Sequence, residues 1–247
     1  MGSIISMQDI SLRYHSLNGE THAVSNFSLS VDHGEFIAIV GPSGCGKSTI
    51  LSILAGLLPP SSGSFSVNGN IGYMLQKDHL LPWRTIEKNA LLGLEVQHNL
   101  TPETISYTEH LLEQYGLADF KNHYPSQLSG GMRQRVALIR TLAVKPDLLL
   151  LDEPFSALDY QTRLTVSDEI GSIIRKEKKT AILVTHDIAE AISLADRVIV
   201  LSKRPASVKA IFPLNLSVQG HSALQAREAP EFKDYFNIIW KELDVHV

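Results

Sequence analysis

Residues 41–49, GPSGCGKST, constrain this chain more than any other segment. They follow the apolar run Phe36–Val40 (FIAIV) and lead into a helix-like stretch, Lys47–Leu57. Gly41, Gly46, Lys47 and Ser48 satisfy the spacing G-x-x-x-x-G-K-[ST], with Pro42, Ser43, Gly44 and Cys45 inside it and Thr49 after it. Glycines let the backbone curl until successive N–H groups point inward, at phosphate oxygens. The following helix adds its positive N-terminal end. Lys47 then reaches the outer phosphates of a nucleotide, and the Ser48 hydroxyl can ligate Mg²⁺. A short, continuous apolar run is the pattern of a strand covered on both faces.

The rest of the chain fits an α/β fold with a largely parallel sheet. Residues 24–31 alternate apolar and polar, as a half-buried strand does, and 64–75 also look like strands. Leu148–Leu151, Thr180–Thr185 and Arg197–Ser202 read as further strands. Residues 132–144 predict a helix ended by Pro146, and 86–122 look mostly helical, with Thr101-Pro102-Glu103 a helix start. The helical block between about 86 and 144 interrupts the alternation and reads as an inserted subdomain.

Two further segments carry chemistry. Leu148–Glu153 reads LLLLDE, a buried strand ending in two acids. A carboxylate at the C-terminal end of such a strand emerges where ligands bind. Asp152 is the candidate Mg²⁺ partner, through water, and Glu153 the candidate general base for an attacking water. His186 follows the TAILVT strand and is placed to meet a γ-phosphate. The other nine histidines show no clustered metal-ligand spacing.

Composition removes several classes. Lys+Arg is 22 against 26 Asp+Glu, a net charge of -4. That balance argues against a protein gripping nucleic acid along its length. The single cysteine, Cys45, excludes an intramolecular disulfide and a multi-cysteine metal site. No apolar run approaches the roughly 18–20 residues that span a bilayer, and the first residues lack a signal-peptide pattern. The expectation is a cytoplasmic protein that reaches any membrane through a partner. Cys45 reads as a small side chain that fits the loop. The alternative is a thiol acidified by the helix N-terminus and shielded by nucleotide.

Residues 128–135 read LSGGMRQR, ahead of a helix. This resembles the signature motif of ATP-binding cassette (ABC) ATPases. The rest falls into that family's order over about residues 3–205: GPSGCGKST resembles its phosphate loop, Gln76 its glutamine loop and LLLLDEP its Mg²⁺/base segment. Ser156-Ala157-Leu158-Asp159 resembles the D-loop, and His186 the switch histidine. Tyr14, taken to lie upstream of the first strands, resembles the aromatic that stacks on adenine.

The resemblance implies a P-loop NTPase (RecA-like) core with an N-terminal antiparallel β subdomain and an inserted helical subdomain. The core would take about 1–85 and 145–205, the signature subdomain about 86–144, and a C-terminal extension 206–247. ATP and Mg²⁺ are the implied ligands, with Gln76 near the metal beside Ser48 and Asp152. Ser129, Gly130 and Gly131 would complete the nucleotide site of a second subunit, so a head-to-tail ATPase dimer is implied, with Asp159 near the shared nucleotide. The hydroxyl and bare N–H groups of LSGG are chemically suited to an anion.

KDHLLPWRTIEKNALLGLE follows Gln76. Its Leu-Pro-Trp-Arg-Thr run and Asn89 look like the bacterial nitrate/sulfonate/taurine importer branch. That branch implies separate permease subunits, a solute-binding protein and no nucleic-acid partner. Trp83, beside Leu80 and Leu81, would face a partner groove; the other reading makes it core of the helical subdomain. Glu231–Trp240 has helix-like spacing. An exporter subunit and a soluble DNA-repair or translation ATPase remain the alternatives. A kinase or GTPase is disfavoured, because no Asn-Lys-x-Asp guanine reader is present and LSGG would go unexplained.

Overall fold

The computed structural model describes residues 2–16, 19–156, 158–218 and 222–243. In chain order they form β1 (Ser3–Ser16), β2 (Gly19–Asp32), β3 (Phe36–Val40), α1 (Lys47–Leu54), β4 (Ser62–Val67) and β5 (Ile71–Met74). Four helices follow, α2 (Ile86–Ala90), α3 (Leu92–Val96), α4 (Pro102–Gln114) and α5 (Gly130–Ala143). Then come β6 (Leu148–Asp152), α6 (Tyr160–Lys176), β7 (Thr180–Val184), α7 (Ile188–Leu194) and β8 (Arg197–Leu201). The chain continues with β9 (Val208–Pro213), α8 (Ala223–Ala226) and α9 (Phe232–Glu242). Two compact units result: residues 1–69 with 167–247, and residues 70–166.

The first unit holds two sheets. In one, β1 lies between β2 and β4, antiparallel to both. Phe27, Leu29 and Val31 of β2 are buried while Ser28 and Ser30 are exposed, which is the alternation the sequence shows. β1 escapes the same reading because its register against β2 shifts at Met7/Ile10, Ile10/Leu12 and Leu12/Arg13. Each irregularity breaks the period of two by which a strand is recognised. Tyr14 therefore lies within the first strand rather than upstream of it.

In the other sheet β3 is central. β7 pairs with it in parallel, Ile37 opposite Ile182, and β8 pairs with its other edge, Ile37 opposite Arg197. β9 closes the β8 edge in antiparallel register. Every residue of β3 and β7 is buried. The backbone N–H of Phe36 donates to Asp196 Oδ2 at 2.8 Å, which seats the start of β3. β3 and β7 end at the same edge, followed by the 41–49 loop and by His186.

The second unit pairs β5 with β6 in parallel, Ile71 opposite Leu148 and Met74 opposite Leu151. A Cβ on Gly72 would sit 2.8 Å from Thr141 Cγ2 and 2.9 Å from Pro146 Cγ, so only glycine lets β5 lie this close to the end of α5. The stretch 86–122 is helical but broken: α2 and α3 meet at Leu91, and a 3₁₀ turn covers 118–120. α4 starts where its sequence signals, with Pro102 in its first turn and a reciprocal cap between Thr101 and Thr104. Leu111 and Leu112 of α4 and Val136, Ile139 and Leu142 of α5 are buried.

Replacing Ile37, which is fully buried, with Ala should cost about 2–5 kcal/mol. The urea midpoint should fall with an unchanged slope. A loss well under about 1 kcal/mol would remove β3 from the core.

Candidate functional site

The first unit positions the phosphate-loop residues. Gly46 has φ +129, and a Cβ there would meet the Ala23 carbonyl oxygen at 2.7 Å and Ala206 Cβ at 3.2 Å. No other residue fits, so the loop is held in a conformation that exposes its backbone. α1 begins at Lys47 with Gly46 as N-cap and no side-chain cap. Its first N–H groups are therefore left for an anion. Lys47 is buried, and its ammonium donates to the carbonyl oxygens of Gly41 at 2.8 Å and Pro42 at 3.1 Å.

Tyr14 joins this group: its hydroxyl lies 3.2 Å from Thr49 Oγ1, and the residue is 42% exposed. His186 is exposed just past β7. The backbone N–H of Thr185 donates to Ile39 O at 3.2 Å, tying the approach to His186 onto the strand that carries the loop. The side chain of Asp187 then caps α7 by accepting from the Glu190 N–H at 3.1 Å. Cys45 is buried, and burial pushes its thiol up, outweighing the opposing pull of Lys47 and Arg204. The alternative of an acidified cysteine does not hold, and Cys45 is the small buried side chain of the first reading: desolvation of the thiolate wins over the helix end.

The second unit gathers the acids, the glutamine and the signature. Asp152 ends β6 with only 5% exposure, and the Tyr73 hydroxyl donates to its Oδ2 at 3.5 Å. Glu153 has φ 45, a left-handed conformation that a non-glycine residue adopts at a cost of about 1–2 kcal/mol. Its carbonyl accepts from the Ser156 N–H at 3.2 Å and the Ser156 hydroxyl at 2.9 Å. Its carboxylate accepts from Gln76 Nε2 at 3.0 Å. Backbone and side chain of Glu153 are thus both held.

Ser129 is the N-cap of α5, its hydroxyl accepting from the Met132 N–H at 3.3 Å. α5 therefore starts at Gly130, two residues before the sequence reading placed it, and both signature glycines lie in its first turn. A Cβ on Gly131 would press to 2.8 Å from Thr162 Cγ2. The Gln134 amide donates to the Pro154 carbonyl and links α5 to the segment that carries the acids. Arg133 Nε donates to Asp78 Oδ2 at 3.0 Å, and Arg140 donates to the carbonyls of Asp78 at 2.7 Å and His79 at 2.9 Å. The stretch after Gln76 is thereby anchored on the same helix. Of the D-loop segment, Ala157 lies outside the described residues. Asp159 starts α6; the hydroxyl and N–H of Thr162 hold its carboxyl below the ordinary range.

Asn89 is fully buried, and its amide serves the turn before α2. Its oxygen accepts from the Leu81 N–H at 2.7 Å. Its nitrogen donates to the carbonyls of Leu81 at 3.1 Å and of Arg84 and Thr85 at 3.0 Å. The turn presents Trp83 at 72% exposure, so the reading that made it core does not hold. Leu80, three residues before it, turns inward at 8%. Among the described residues, no helix is long and apolar enough to cross a membrane.

The sequence reading missed Tyr73, Asp78, Gln134 and Arg204. Their contacts are with partners distant in the chain, and no local pattern marks Tyr73 or Arg204. Arg133 and Gln134 stood inside the quoted LSGGMRQR run, which was the available signal.

Residues 24–156 match the ABC transporter family. A Bacillus subtilis protein described as an uncharacterized ABC transporter ATP-binding protein is 45% identical over 98% of this chain and 96% of its own. An aliphatic sulfonates import ATP-binding protein of Bacillus licheniformis is 38% identical, over 91% and 88%. A nitrate import ATP-binding protein of Synechocystis is 35% identical, over 94% and 91%. Among solved structures, the ATP-binding cassette MJ0796, dimeric in a post-hydrolysis state bound to ADP and Pi, superposes with a TM-score of 0.76. It is 30% identical and covers 85% of this chain and 99% of that one.

Because burial raises its pKa, Cys45 stays a protonated thiol at neutral pH. Iodoacetamide should modify the native protein far more slowly than the unfolded chain at pH 7. The rate should climb only above the ordinary thiol range. Equal rates at pH 7 would contradict the burial argument.

Proposed function

We propose a mechanism from a fixed premise: this chain belongs to the ABC transporter family and is an ATP-binding, ATP-hydrolysing subunit. ATP lies with its phosphates in the 41–49 loop. The backbone N–H groups and Lys47 neutralise the outer phosphates, and Tyr14 stacks on the adenine. The observation that carries this reading is the loop itself, with a buried Lys47 ammonium parked on its own carbonyls and an uncapped α1 beside it.

Ser48, Asp152 and Gln76 would hold Mg²⁺. All three offer oxygen donors, which suit a hard cation, and Asp152 is a buried carboxylate at a strand end. When bound, the ion offsets charge that develops on the phosphates. Glu153 orients the attacking water and takes its proton, and Gln76 fixes that carboxylate. His186 donates to the γ-phosphate. Ser129, Gly130 and Gly131 of a second copy complete the site with a hydroxyl and helix N-terminal N–H groups, and Asp159 lies near the shared nucleotide. The dimeric form of MJ0796 supports this arrangement. ATP binding closes the dimer, and hydrolysis reopens it.

The transporter is a bacterial importer of a small oxyanion or organosulfonate, with separate permease subunits and a solute-binding protein. The sulfonate and nitrate relatives support that class. Trp83 supports the docking, since a large exposed aromatic on a braced turn suits a partner groove.

Glu153→Gln should lower hydrolysis by on the order of 10²–10³-fold while retaining ATP and trapping a dimer on a sizing column. A variant that stays monomeric at saturating ATP would sink the mechanism. Lys47→Ala should lose ATP binding itself. Trp83→Ala should leave ATP affinity unchanged and weaken recovery of a multi-span permease in a mild-detergent pull-down. Undiminished recovery would remove Trp83 from the interface. A wild-type pull-down that brings only soluble partners would overturn the importer reading.

A further inference from the structure

The turn that follows β8 packs against the phosphate loop. Ser202 organises it: its hydroxyl accepts from the Ser207 N–H at 3.0 Å and lies 2.9 Å from Lys203 O and 3.0 Å from Pro205 O. Ala206 is fixed to β2, its N–H donating to Ala23 O at 2.9 Å and its carbonyl accepting from the Ser25 N–H at 2.9 Å. From this braced turn Arg204 reaches the loop. Its Nε and Nη2 both donate to the carbonyl oxygen of Gly44, at 2.9 and 2.5 Å. Among the described residues, no carboxylate pairs with Arg204.

We propose that Arg204 is a positioning residue of the ATP site, bracing the Gly44–Cys45 peptide and adding an uncompensated positive charge beside the polyphosphate. The inference rests on the reading of 41–49 as the phosphate loop, and none of the nucleotide motifs contains Arg204. Gly44 has φ +71 and no side chain, so besides the Cys45 N–H bond to Pro42 O it is the guanidinium that resists a flip of the peptide that follows it. In a trans peptide the C=O and N–H point opposite ways. Anchoring the carbonyl on the guanidinium therefore keeps the Cys45 N–H on the loop's inner side, where it donates to Pro42 O at 3.2 Å. A flipped peptide would turn an oxygen lone pair toward the phosphates. A cationic donor also makes this bond stronger than a neutral one and polarises the peptide toward its N–H.

The test compares Arg204→Ala, Arg204→Gln and Arg204→Lys with the wild type and with Lys203→Ala, an exposed neighbouring cation. Readouts are ATP and ADP affinity by calorimetry, kcat and KM, and the unfolding temperature without nucleotide. Arg204→Ala should weaken ATP and ADP alike by on the order of tenfold. KM should rise in step while kcat stays within about twofold, the split expected for lost ground-state binding. Arg204→Lys should recover part of the loss and Arg204→Gln less, and Lys203→Ala should match the wild type. Should Arg204→Ala fail to fold, the Lys and Gln variants decide by the same ordering. Wild-type affinity in folded Arg204 variants, or an equal loss in Lys203→Ala, overturns the inference and leaves the site reading intact. A wild-type protein that binds no ATP overturns the site reading, and this inference with it.

Discussion

A loop that offers bare backbone N–H groups to an anion keeps its shape only if both of its ends are immobile. Here β3 supplies one end. All five of its residues are buried between β7 and β8, so the chain enters the loop from the stiffest part of the unit. α1 supplies the other, with Ile50, Leu51, Ile53 and Leu54 buried. Between them Gly46 has no room for a side chain against Ala23 and Ala206. The antiparallel sheet and the turn after β8 thus act on the loop as directly as the strand that leads into it. Burial of apolar side chains supplies the rigidity, and polar backbone is exposed only where a ligand can satisfy it.

The second unit solves a different problem. Its candidate site groups are side chains, and hydrogen bonds hold them. Glu153 is held at its backbone by Ser156 and at its carboxylate by Gln76, in a backbone conformation that costs energy to maintain. α5 is the common anchor. Ser129 and both signature glycines form its start, Gln134 ties it to Pro154, and Arg133 and Arg140 tie it to Asp78 and His79 after Gln76. A displacement of the start of α5 would strain these bonds, which ties Ser129, Gln76 and the segment carrying Glu153 to one helix within the unit.

Much of this was legible in the residues. β3, β6, β7 and β8 are short apolar runs whose burial follows from composition alone. The cap at Thr101 is local chemistry and marks a true helix start, whereas Ser129 caps α5 two residues ahead of the start that the apolar pattern gave. Reading failed where long-range pairing overrides local pattern. β1 is long but bulged, so its alternation is lost and Tyr14 seemed to precede the sheet. The exposure of Trp83 agrees with the reading that turned it outward, but nothing in the run shows that Leu80, three residues before it, is buried. The deciding factor is Asn89, whose amide closes the turn by bonds to Leu81, Arg84 and Thr85. The Cys45 thiol depended on depth of burial, which a neighbouring helix end cannot reveal.

The sequence by itself determined the contiguous segments: a glycine-rich loop after one buried strand, two acids after another, a glycine pair capped by Ser129, and the family to which they belong. Those features are contiguous, and contiguous residues are held at fixed distances by the covalent chain. Only the tertiary structure decided which distant groups brace them. Arg204 on Gly44 spans 160 positions, Gln76 on Glu153 spans 77, and Arg140 on Asp78 spans 62. Such pairs exist because packing closes long loops around a common core, and no short window of residues records which loops close.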